Sequence, residues 1–143
     1  MKTTVAYIFC FSILLISCNV SNFGSMDLTT DLELGEAEIT NVGDIEATFT
    51  VKNGTNEKKK YHFATGCQYA FKITQNGVKV FNSEENQGCY LSPTSFELPK
   101  NNDKVFYLTN SYDNELVSGR YSLKAYLIGY EDEVFASENF LVE

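Results

Sequence analysis

The residues that could do chemistry are few. His62 is the only histidine, and it sits between Tyr61 and Phe63 in an alternating run that turns it outward. No Gly-x-Ser-x-Gly elbow and no His-Glu-x-x-His pattern occurs, and neither Cys67 nor Cys89 has a base beside it in sequence. Carboxylates cluster at Glu84-Glu85, at Asp113 and Glu115, and at Glu131-Asp132-Glu133. Their spacing is not that of a calcium loop, which needs oxygen ligands at fixed intervals. These residues are therefore read as solvated turns, with no cofactor, no metal and no enzymatic activity expected. Recognition is the chemistry that remains. Two polar stretches, 82–95 and 109–119, read as loops, and loops on a rigid scaffold are where binding concentrates. Glu84, Glu85, Tyr90 and Tyr112 are the candidate contacts, tyrosine being favoured at interface hot spots.

The start of the chain sets a context for those loops. Lys2 precedes the apolar run Val5–Ile16, which is too short to span a bilayer. Leu15-Ile16-Ser17-Cys18 resembles the bacterial lipobox. The resemblance implies a signal peptide over residues 1–17 and acylation of Cys18; the small polar residues that follow read as a tether, so that the lipidated Cys and tether cover 18–27 and a domain covers 28–143. The resemblance also implies contact with a membrane through the lipid alone. Asn19 is not acidic, which points to the outer membrane of the envelope as the expected location. With Cys18 lipidated, Cys67 and Cys89 are left as an even pair, read as a disulfide closing a loop of about 22 residues. Two buried thiols or a metal pair are the alternatives, and one histidine with no Cys-x-x-Cys argues against zinc. A net charge of −8 disfavours nucleic acid as a partner.

The elements that must position the loops follow a period of two, the mark of half-buried strands. Leu28 to Leu34 alternates. So does Ile45 to Lys52, with Ile45, Ala47, Phe49 and Val51 turned in. Asn53 to Asn56 is a turn. Tyr61 and Phe63, then Tyr69, Phe71 and Ile73, form further inward rows. Asn76-Gly77, directly before Val78–Phe81, predicts a two-residue hairpin, because both positions of a type I′ turn need φ > 0. Phe96–Leu98, Val105–Leu108, Tyr121–Leu127 and Val134–Val142 complete about seven to nine short strands. The fold expected is all-β, an immunoglobulin-like β-sandwich. Tyr121, just after a turn, is either a tyrosine corner or a plain core aromatic.

Three clusters together resemble the BsuPI-type proteinase inhibitor domain: Phe49-Thr50-Val51-Lys52-Asn53-Gly54-Thr55, Tyr61–Phe71 with the following Asn76-Gly77 hairpin, and Ser118-Gly119-Arg120-Tyr121 with its strand to Leu127. Ala70 stands where members often carry Asp, Ser118 where Pro is common, and Trp is absent. The resemblance implies a binding protein that inhibits a protease. A structural or accessory envelope lipoprotein that scaffolds protein partners is the alternative.

Overall fold

The computed structural model describes residues 28–35 and 38–143. The signal peptide, Cys18 and the tether expected over residues 1–27 lie outside the described residues. The described residues form nine strands: β1 (Leu28–Leu34), β2 (Ala47–Asn53), β3 (Lys59–Phe63), β4 (Tyr69–Gln75), β5 (Val78–Asn82), β6 (Thr94–Leu98), β7 (Asp103–Leu108), β8 (Gly119–Leu127) and β9 (Phe135–Val142). All pairings are antiparallel. One sheet has the order β1-β2-β7, a second β5-β4-β8-β9, and β3 pairs with β6 as a ribbon. The sandwich expected from the alternation is therefore present.

The inward phase of each strand supplies the core. Leu32, Phe49, Val51, Phe106 and Leu108 face Phe71, Ile73, Tyr121, Leu123 and Leu127, all buried. Phe49 and Phe106 are register partners, and their rings stack at 5.9 Å. The ribbon adds Tyr61 opposite Phe96, ring centroids 5.1 Å apart, with Tyr130 edge-on to Tyr61 at 5.2 Å. Tyr69 on β4 reaches across to Phe106 on β7 at 4.9 Å. Such pairs add to the stability that burial alone provides. β1 lies against β9, where the Thr30 hydroxyl donates to the Phe135 carbonyl.

Tyr121 is a tyrosine corner, its hydroxyl donating to the Val117 carbonyl at 2.7 Å. Asn76 and Gly77 have φ of +51° and +79°, the backbone that the hairpin signal requires.

Two local features depart from the alternation. In β5, Thr74 pairs with Lys79 and Ile73 with Phe81, so Val80 is an unpaired bulge residue. The bulge rotates the strand, leaving Val78 and Val80 exposed and only Phe81 in the core. Asn53, expected as the first residue of a turn, is the last residue of β2 and is fully buried. Its Nδ2 donates to the carbonyls of Glu57, Leu98 and Pro99 at 2.7, 2.9 and 3.2 Å. Its Oδ1 accepts from the Thr55 N–H and hydroxyl. Its own N–H and carbonyl pair with Asn102 and Asn101. One side chain thus joins the β2–β3 turn to the β6–β7 turn.

Candidate functional site

The loop between β5 and β6 is built from its foot upward. Asn82 accepts the Glu84 N–H at 3.1 Å and caps a 3₁₀ turn at Ser83–Glu85. The buried Ser83 hydroxyl accepts from the Phe71 N–H at 2.9 Å, fixing the turn to β4. Gln87 Nε2 then donates to the Tyr69 carbonyl at 3.3 Å. Cys89 is bonded to Cys67, with Cα atoms 5.5 Å apart, so the disulfide reading of this pair holds. The Gly66 N–H donates to the Tyr90 carbonyl at 2.9 Å. On the far side the Thr94 hydroxyl donates to the Thr65 carbonyl at 2.8 Å. The loop is held at both feet and at its middle, and the chain bends at Leu91-Ser92 between these ties.

The four candidate contact residues have different surroundings. Glu84 Oε2 accepts from the Tyr126 hydroxyl at 2.9 Å. Burial, and then that carboxylate, push the Tyr126 phenol above its ordinary range. Glu85 pairs with Lys79, whose ammonium holds the carboxyl below the usual range. Tyr112 donates its hydroxyl to the Asn86 carbonyl, and its ring lies 5.8 Å from Phe81, tying the 109–119 loop to the foot of the 82–95 loop. Tyr90 alone of the four projects freely, 85% exposed. Its neighbour Leu91 is 93% exposed and was not among the residues singled out from sequence. A single apolar residue inside a polar loop has no period to mark it. Its only signal is its place beside Tyr90 and ahead of Ser92-Pro93.

Beneath the loop lies an open cleft of about 300 Å³ lined by Tyr69, Ser83, Gln87, Thr109 and Tyr112 among others. Its walls offer hydroxyls and amides. Among the described residues no group of three or more His, Cys, Asp or Glu side chains is close enough to hold a metal ion. His62 is exposed on β3, its backbone N–H donating to the Tyr130 hydroxyl at 3.1 Å.

The model of the BsuPI family, described as intracellular proteinase inhibitor, matches residues 32–131. The chain belongs to the BsuPI family. The match runs from within β1 to the turn after β8, so it contains the whole disulfide-tied loop and every strand from β2 to β8, with β9 beyond it. No curated protein matches the chain. BsuPI membership gives a protease as the general class of partner and accords with a non-enzymatic role. It also corrects one expectation. The outer-membrane location inferred from Leu15-Ile16-Ser17-Cys18 and Asn19 conflicts with a BsuPI family defined as intracellular. That location rested on five residues outside the described ones, whereas the BsuPI match covers residues 32–131.

Proposed function

We propose that this chain is a non-enzymatic inhibitor that engages a protease through the loop closed by Cys67 and Cys89. The observation that carries the reading is the combination at residues 89–91. The backbone is held by a disulfide and by the Gly66–Tyr90 hydrogen bond, while two large apolar side chains stand in solvent. A loop ordered before binding loses less conformational entropy on docking, which favours tight association. Exposed apolar side chains on such a support act as anchors for a cleft.

Addition of a strand at a sheet edge is less well supported. The Tyr107 carbonyl on β7 is already taken by the Tyr69 hydroxyl at 3.0 Å, and β5 carries the bulge at Val80.

The test is inhibition of a panel of serine, cysteine and metalloproteases by the full chain. At least one class is expected to be inhibited stoichiometrically, and the Tyr90→Ala, Leu91→Ala double variant is expected to bind at least 30-fold more weakly, about 2 kcal/mol. No inhibition anywhere in the panel would remove the proposal.

A further inference from the structure

We infer that Leu91 is the primary specificity residue of this loop and that it selects a serine endoprotease whose specificity pocket is apolar and uncharged. The inference rests on the inhibitory reading above. It begins with a difference between two adjacent residues. An inhibitor's primary residue must give its side chain to the specificity pocket and its carbonyl to the protease's oxyanion donors. The Tyr90 carbonyl is not available for this, because it points back into the domain and accepts from the Gly66 N–H at 2.9 Å. Among the described residues the Leu91 carbonyl has no hydrogen-bond donor, and its side chain is the most exposed of the large apolar ones. Leu91 also stands at the bend of the loop, followed by Ser92-Pro93. Proline fixes its own φ and holds Ser92 away from the helical region, so the chain beyond the bend is already restricted. Tyr90, one residue earlier, is left to pack beside the pocket.

The charge of the loop sets the class of pocket. Residues 82–95 contain no Lys or Arg. The nearby cations are engaged elsewhere: Lys79 pairs with Glu85, and Lys104 lies over the Phe96 and Phe106 rings at 5.0 and 5.3 Å. A pocket that carries a carboxylate for basic residues would bury that charge unpaired against Leu91. A pocket shaped for small side chains would not admit it. An apolar slot matches its size and polarity.

The experiment compares three proteases of one fold that differ in this pocket: chymotrypsin (apolar slot), trypsin (carboxylate) and elastase (small). The full chain is titrated against each, alongside Leu91→Ala, Leu91→Lys and Tyr90→Ala. Leu91 is almost wholly exposed, so these variants keep the fold, which a thermal melt verifies. Inhibition of chymotrypsin at least 100-fold tighter than of trypsin or elastase is expected. Leu91→Ala should lose about 100-fold against chymotrypsin, Leu91→Lys should move the preference to trypsin, and Tyr90→Ala should lose less than Leu91→Ala. A parent chain that prefers trypsin or elastase, or that inhibits only proteases outside this fold, overturns the inference while leaving an inhibitor. Leu91 variants as potent as the parent also overturn it. A chain that inhibits nothing in the wider panel overturns the inhibitory reading itself.

Discussion

Replacing Asn53 by alanine removes both N–H donors of Nδ2, which three carbonyls share, and the two bonds accepted by Oδ1. The Leu98 carbonyl is the most consequential partner, because that bond is buried and water cannot take its place. An unsatisfied buried carbonyl costs about 1–3 kcal/mol, and an ordinary hydrogen bond contributes about 1 kcal/mol net. The carbonyls of Glu57 and Pro99 and the Thr55 hydroxyl are only partly buried, so solvent recovers some of their loss. The sum is a destabilisation of about 3 kcal/mol. With a urea slope near 2 kcal/mol per molar, the unfolding midpoint should fall by about 1.5 M with the slope unchanged. Asn53→Asp is the sharper comparison. It keeps the shape and the acceptor for Thr55 but aims an oxygen at the Leu98 and Pro99 carbonyls where an N–H had been. It should be at least as harmful as alanine, since it sets acceptor against acceptor in a buried site. If both variants unfold within about 0.5 kcal/mol of the parent, the side chain does not join the two turns and the reasoning fails.

Three further outcomes are expected. Tyr121→Phe keeps the buried ring but loses the bond to the Val117 carbonyl, so thermal unfolding should report a loss of about 1 kcal/mol. Exchanging both Cys67 and Cys89 for serine releases a closed loop with a sequence separation of 22, worth about 3 kcal/mol by chain entropy. Urea unfolding of this variant should match the parent under strong reductant. Asp44 accepts from the Thr40 N–H, the Asn41 N–H and the Thr40 hydroxyl, and these hold its carboxyl below the usual range. The folded chain then binds that proton less readily than the unfolded one. The contribution is complete above the unfolded value and lost as pH falls through the folded one, so an Asp44→Asn deficit at pH 7 should shrink below about pH 4. A deficit independent of pH would count against that network.

The sandwich is legible in the sequence because alternation is a local property. Ala47, Phe49 and Val51, or Tyr121, Leu123, Ala125 and Leu127, announce their buried face whatever their neighbours turn out to be. Asn76-Gly77 is legible for the same reason, since the φ values it needs are a property of two residues. Strand order is not local. That β7 closes one sheet beside β2, and that β8 lies between β4 and β9, depends on pairings across long stretches of chain. Asn53 reads as a turn former because its type says so; its burial is decided by Leu98 and Pro99. Val80 looks like half of an alternating pair, and only the partner register on β4 reveals the extra residue. In the loop, residue type pointed to Tyr90. What separates Leu91 from Tyr90 is one carbonyl, the one that the Gly66 N–H engages, and no local pattern marks it.

The bulge at Val80 bears on how the molecule behaves in a crowd. β5 is the rim of its sheet, and exposed Val78 and Val80 on a straight rim would offer a second copy a flat, greasy template for cross-molecule pairing. The extra residue breaks the even spacing of amide and carbonyl groups that such pairing requires, and the exposed Lys79–Glu85 ion pair puts hydrated charge on the rim. The kink therefore acts as a guard against self-association, at the cost of one irregular rung in an otherwise even ladder.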